Sequence, residues 1–174
     1  MKFFKIKSHA KVNLALNVVG KTNLLHKIES AVSFLDLHDE ILIRKTKDKK
    51  HKIKFYGEFS DKIKSKNTVS QLLENLDKKN LLKNKYKIIL KKNIPIKAGL
   101  GGGSMNAASI LNFFIKRKII KLKNKEIIKI SNSIGSDTIL GFYSKNLILT
   151  SDNFIKTFPN KKKFYTLIVK PDFG

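Results

Sequence analysis

The chain contains no cysteine, which excludes a disulfide framework and a thiolate metal site. It has no apolar run approaching the about 20 residues that a membrane-spanning helix needs. Its opening, Met1-Lys-Phe-Phe-Lys-Ile-Lys7, is too short and too interrupted by charge to read as a signal peptide. The cytoplasm is therefore the expected compartment, with no membrane partner. Acidic residues are scarce: 13 Asp and Glu stand against 37 Lys and Arg, giving a net charge of +24. Such an excess normally points to nucleic acid or a membrane surface. Here it is nearly all lysine spread along the whole chain, with little arginine for bidentate phosphate contacts and no basic cluster interleaved with stacking aromatics. Lysine, isoleucine and asparagine are abundant together, so much of the charge reads as compositional bias on a solvated surface. A share of it would attract a polyanionic small substrate. A nucleic-acid-binding module is the competing reading, and a weaker one.

What is present is enough for one domain with a real core: 174 residues, 41% of them hydrophobic. The organising stretch is Pro95-Ile-Lys-Ala-Gly-Leu-Gly-Gly-Gly-Ser-Met-Asn-Ala-Ala108. Gly99 and Gly101 to Gly103 lead into Ser104, after which Ala107, Ala108, Leu111, Phe114 and Ile115 recur at helical spacing. Glycine permits positive φ and close backbone approach. A helix that begins there offers free N–H groups and the positive end of its dipole to a phosphate. The run is not a Walker loop, because no lysine follows the last glycine. Gly20-Lys21-Thr22 imitates a Walker ending, but the earlier glycine that motif requires is replaced by Ala15.

Residues 2–7 and 10–19 read as two strands or one bent strand. In the second, Val12, Leu14, Leu16 and Val18 alternate with Lys11, Asn13, Ala15 and Asn17, so the apolar set is expected to face the core. Lys11 and Asn13 then share the other face, roughly 6–7 Å apart. Residues 28–36 should pair back as a strand, with 37–40 as a turn. Ile41–Arg44 and His51–Tyr56 read as a hairpin about an exposed lysine-rich turn. A helix should begin near Lys66 or Asn67 and bury Val69, Leu72, Leu73 and Leu76. Tyr86–Lys92 reads as a strand. A second helix should run from 104 to about 118. A third should start with Asn124 as its N-cap and bury Ile127, Ile128 and Ile130. Gly135-Ser-Asp137 is a turn; a strand and turn within Phe142–Thr150 and a last strand at Phe164–Lys170 complete the pattern.

Three segments, in this order and at these separations, carry a resemblance. They are Ala10-Lys-Val-Asn-Leu-Ala-Leu-Asn-Val-Val-Gly20 running on through His26 to Phe34-Leu-Asp-Leu-His-Asp-Glu-Ile41; the stretch from Ile94 to Ala108; and Ile134-Gly-Ser-Asp137. Together they resemble the 4-diphosphocytidyl-2-C-methyl-D-erythritol kinases, of the superfamily of galactokinase, homoserine, mevalonate and phosphomevalonate kinases. The glycine motif marks only the superfamily; the opening segment points to this kinase. The resemblance implies an α/β (α+β) fold, with a ribosomal S5 domain-2-like N-terminal domain over residues 1–150. Residues 151–174 would be the start of a ferredoxin-like C-terminal domain.

The implied activity is transfer of the γ-phosphate of ATP to the 2-hydroxyl of diphosphocytidyl methylerythritol in the non-mevalonate isoprenoid pathway. Another alcohol kinase of the superfamily is the nearest alternative. By resemblance the catalytic pair is Lys11 and Asp137, the aspartate as general base and the lysine balancing its charge. Asn13 and His26 would hold the substrate, His26 toward the cytidine. Pro95, Ile96, Lys97, Ala98, Gly99, Leu100, Gly101, Gly102, Gly103 and Ser104 would cradle ATP, Ser104 as a ligand of Mg²⁺, with Asn67 near the base. A homodimer is compatible with the resemblance. Two departures stand out. Leu25 occupies a position where the family has a stacking tyrosine. The chain also ends about where the family's second domain gets under way, which implies truncation, weak or absent turnover alone, and an exposed apolar face.

Overall fold

The computed structural model describes residues 2–21, 26–143, 145–152, 154–159 and 164–169. The described elements run β1 (Phe4–Lys21), β2 (His26–Thr46), β3 (Lys52–Tyr56), α1 (Thr68–Lys78), β4 (Lys85–Lys91), α2 (Gly102–Lys116) and α3 (Asn124–Ile134). A 3₁₀ turn (Thr138–Phe142) then leads to β5 (Leu147–Leu149) and β6 (Ile155–Thr157). One mixed sheet has the order β3-β4-β2-β5-β6, and β1 pairs with the other side of β2. β2 is thus the central strand. β1 runs antiparallel along nearly all of it, while β4 takes its C-terminal half and β5 pairs at Ser30–Val32.

The helices cover one face of the sheet. Ile41, Ile43, Tyr86, Ile88 and Leu90 point into a core closed by Val69, Leu72, Leu73 and Leu76 of α1 and Ala107, Ile110, Leu111 and Phe114 of α2. Each large side chain so buried contributes about 1.5–3 kcal/mol. α1 begins where expected. Asn67 caps it, its Oδ1 accepting from the backbone of Val69 and Ser70 while Ser70 Oγ accepts from the Asn67 N–H. The amide nitrogen of Asn67 donates to the carbonyls of Lys64 and Ser65, so the whole side chain is committed to the cap.

Several expectations are corrected. Of the two alternatives for the opening, the single strand is the one that forms, interrupted by register shifts at His9/Lys11, Asn13/Ala15 and Val18/Gly20. Its apolar alternation does not face the core: Leu14, Leu16 and Val18 are 66%, 56% and 65% exposed, while Ala10 and Lys11 are buried. The helices reach only the first half of β1, and beyond Asn13 the β1–β2 ribbon extends past them. Residues 37–40 lie within β2 rather than in a turn. β3 does not form a hairpin with β2; it pairs in parallel with β4, which lies between them. α3 is capped at Lys123, one residue early, and buries Ile130 and Ile134 but leaves Ile128 exposed. Residues 164–169 form no strand and are exposed. A strand needs a neighbour for its N–H and C=O groups, and no described strand pairs with them.

Candidate active site

The glycine loop leaves β4 through Asn93 and Ile94 and turns with Lys97, Gly99 and Gly101 at positive φ (56°, 70° and 66°). Gly101 is the N-cap of α2, and no side chain caps that helix. Its first-turn N–H groups therefore lack side-chain partners, which is the arrangement an anion uses. Gly102 and Gly103, expected in the loop, are the first two residues of the helix itself. The loop is tied to the first strand by a 3.0 Å bond from the Lys11 N–H to the Leu100 carbonyl. It is tied to α1 by Thr68 Oγ1, which donates to the Gly103 carbonyl at 2.7 Å.

Against this loop the structure brings together two residues 126 positions apart in sequence. Lys11 Nζ lies 3.1 Å from Asp137 Oδ2; the lysine side chain is 8% exposed and the aspartate 36%. Lys11 also donates to Asn13 Oδ1 at 2.6 Å, and Asn13 Nδ2 donates to Ser30 Oγ at 2.7 Å, which in turn donates to the Ala15 carbonyl at 2.8 Å. The chain of bonds fixes the ammonium in one place. The amide of Asn13 keeps one further lone pair and one further N–H for a ligand.

The requirement for glycine at position 101 is steric as well as conformational. A Cβ there would stand 2.9 Å from Lys11 Cγ, 3.1 Å from its Cε and 3.6 Å from Asp137 Oδ2. Backbone and ion pair are in direct contact. Ser104 lies beside Gly135, where a Cβ would meet its Oγ at 3.1 Å, so the hydroxyl sits next to the turn that carries Asp137. Among the described residues no three His, Cys or acidic side chains converge to hold a metal ion. A divalent cation here would draw on Ser104 and the oxygens of a bound phosphate.

The sequence-predicted site thus divides. Lys11, Asn13, Gly101 and Asp137 meet, with Gly102, Gly103 and Ser104 opening the adjoining helix and Pro95 to Leu100 forming the loop before it. The side chain of His26, and Leu25, lie outside the described residues. A cleft between β1 and α2, lined by Lys7, His9, Phe34, Asp36, Met105 and Ser109, includes neither Lys11 nor Asp137. Sequence reasoning missed Asp39, which it placed in a turn. Asp39 is fully buried and accepts hydrogen bonds from the segment leading into the glycine loop.

A mixed sheet with one helical face, an uncapped helix behind a glycine loop and a lysine–aspartate pair beside it together define a class. Residues 67–144 match the family described as GHMP kinases N terminal domain. The fold agrees. A crystal structure of 4-(cytidine 5'-diphospho)-2C-methyl-D-erythritol kinase superposes with a TM-score of 0.70 at 20% identity, covering 89% of this chain and 55% of that one. The Methanococcus jannaschii mevalonate kinase does so with a TM-score of 0.59 at 18% identity, covering 90% and 56%. The domain is of the α/β, ribosomal S5 domain-2-like kind that these kinases share. In sequence the chain is 58% identical to the 4-diphosphocytidyl-2-C-methyl-D-erythritol kinase of Pelagibacter ubique over 100% of its own length and 62% of the relative's. It is 34% identical to the same kinase of Thermodesulfovibrio yellowstonii, over 97% and 58%. Along its whole length the chain is similar to the 4-diphosphocytidyl-2-C-methyl-D-erythritol kinases, and it spans about three fifths of the length of the curated relatives it matches.

Proposed function

We propose that this chain carries the nucleotide-binding and catalytic half of an ATP-dependent kinase acting on the 2-hydroxyl of 4-diphosphocytidyl-2-C-methyl-D-erythritol. The observation that supports the reading most directly is the 3.1 Å contact of Lys11 with Asp137, packed against Gly101 at the start of an uncapped helix. Phosphoryl transfer asks a protein mainly for positioning and charge neutralisation. On this reading the N–H groups at the start of α2 hold the phosphates. Asp137, the more exposed partner, accepts the proton of the substrate hydroxyl as its oxygen attacks the γ-phosphorus, and ADP leaves. Lys11, fixed by Asn13 and Asp137, offsets negative charge at the attacking oxygen. Mg²⁺, held by Ser104 together with phosphate oxygens, would supply further neutralisation of the triphosphate. Asn13 and His26 hold the substrate.

The same reading assigns residues 1–150 to the nucleotide- and substrate-binding domain and residues 151–174 to the beginning of a second. It places the enzyme in the cytoplasm and is compatible with a homodimer. No described helix is long and apolar enough to cross a membrane. The test is ADP formation by the purified protein with Mg²⁺-ATP and a panel of alcohols comprising the diphosphocytidyl substrate, mevalonate, homoserine and galactose. Turnover or tight binding confined to the first supports the proposal. Preference for another alcohol moves the chain within the superfamily, and salt-dependent binding to single-stranded RNA with no nucleotide affinity overturns it.

A further inference from the structure

One polar cluster in the interior takes no part in the chemistry above. Asp39, in the middle of β2, has no exposed surface, and Lys92, just past the end of β4, is 3% exposed. Their side chains form an ion pair. The same carboxylate accepts hydrogen bonds from the backbone N–H of Asn93 at 2.8 Å, from that of Ile94 at 2.9 Å and from the Asn106 amide at 2.9 Å. Asn93 adds a bond from its own side chain to the His38 carbonyl at 2.9 Å. Four donors from β4's exit, the entry to the glycine loop and the beginning of α2 thus converge on one group.

Stability alone does not account for this arrangement, because well-packed apolar side chains commonly serve a core as well as a buried ion pair. The location does account for it. The glycine loop has two ends, and both are attached here: the N–H of Ile94 where the chain enters, and Asn106 in α2 where it leaves. The segment is also packed from below. A Cβ on Gly102 would meet Ile94 Cγ2 at 3.1 Å and Lys92 Nζ at 3.6 Å. A glycine-rich loop has little side-chain packing to define its shape, so its conformation must be imposed at its ends.

We propose that Asp39 is the positioning residue of the glycine loop, with Lys92 as its counter-ion. The carboxylate clamps both ends of the loop in one frame, so the N–H groups of α2 are already aimed before a phosphate arrives. The inference rests on the loop being the phosphate site, but its first readout does not. Backbone hydrogen exchange in the Asp39→Asn variant should quicken across residues 94–105, with α3 and α1 unchanged. The affinity for Mg²⁺-ATP should fall by roughly tenfold or more, as a small misplacement of binding groups entails. If the wild-type protein does not bind ATP, the phosphate reading fails while the exchange data still decide the clamp. A folded variant with wild-type exchange in 94–105 overturns the proposal. So does exchange that quickens uniformly over the sheet and helices, which is the signature of a merely structural residue. Should Asp39→Asn not fold, Asn106→Leu removes one of the four donors and is read in the same way. Local quickening supports the clamp, and a wild-type exchange pattern rejects it.

Discussion

The two halves of β1 carry similar apolar content and have opposite fates. From Ser8 to Lys11 the strand is largely covered: Ser8, Ala10 and Lys11 are buried, and Lys11 sits at 6% exposure despite its charge. From Leu14 to Val19 the same strand is open to solvent, leucines and valines included. The first half lies beneath α2 and the glycine loop, to which it is bonded through the Lys11 N–H. The second half runs along the edge of the sheet beside β2, which β5 flanks only at Ser30–Val32, and no described helix covers it. Alternation identifies which residues share a face, but a covering layer decides which face becomes the interior. A buried lysine is tolerated in the first half because Asp137 and Asn13 meet its charge.

Substitutions in the covered half should therefore act on chemistry, and those on the ribbon should act on almost nothing. The largest effect is expected at the ion pair. Asp137→Asn should lower ADP formation by about 10²–10⁴-fold, the usual contribution of a general base. Its thermal midpoint should also fall, because the variant leaves the buried Lys11 ammonium with Asn13 alone to meet its charge. Turnover and a melting curve on the same preparation check both.

Next comes the backbone against which the pair rests. Gly101→Ala should cost about 1–3 kcal/mol for a side chain at positive φ and should also push Lys11 from its place, lowering nucleotide affinity and turnover. Gly99→Ala has nearly the same φ of 70° but nothing within 4 Å of the added carbon. It should show the strain without the loss of chemistry, and equal activities for the two variants would break the comparison.

A smaller effect lies at the far end of the sheet. Burial alone would raise the Asp77 carboxyl, but the hydrogen bond from Lys85 and the His51 ring 3.2 Å away outweigh it and hold the group below its ordinary value of 3.8. A carboxyl depressed in the folded state contributes stability that is present above the unfolded value and lost as pH falls through the folded one. Asp77→Asn should therefore cost about 1–2 kcal/mol near neutrality. The gap from wild type should close as pH drops below the ordinary aspartate range, measured by urea unfolding across pH. The smallest effect is expected on the ribbon: Leu16→Ser should change stability by under about 0.5 kcal/mol while reducing self-association at high concentration.

The legible parts of the fold were those whose cause is local. Val69, Leu72, Leu73 and Leu76 announce an amphipathic helix that starts near Lys66 or Asn67, and α1 is that helix. The small and apolar residues after Ser104 announce α2, which starts two residues earlier than expected, at Gly102. The parallel pairing of β3 with β4 was not legible, because the pattern of 51–56 suits any neighbour, and the adjacent Ile41–Arg44 was the nearest in sequence. Asp39 was unreadable for the same reason. Leu-His-Asp-Glu is good turn chemistry, and only the return of β4 and α2 supplies the four donors that make it an interior residue.

The sequence by itself determined the glycine stretch as the entry to a helix, the helices on either side of it, and, through the order of its three motifs, the likeness to a kinase family. These follow from backbone freedom, capping and periodicity within a few residues of chain. Tertiary structure alone decided that Lys11 is buried while Leu14 is not, and that one carboxylate in β2 accepts hydrogen bonds from both Ile94 and Asn106, whereas the meeting of Lys11 with Asp137 across 126 residues was expected from the resemblance and from no local pattern. Burial and charge pairing depend on which distant segments arrive, and no local pattern encodes that.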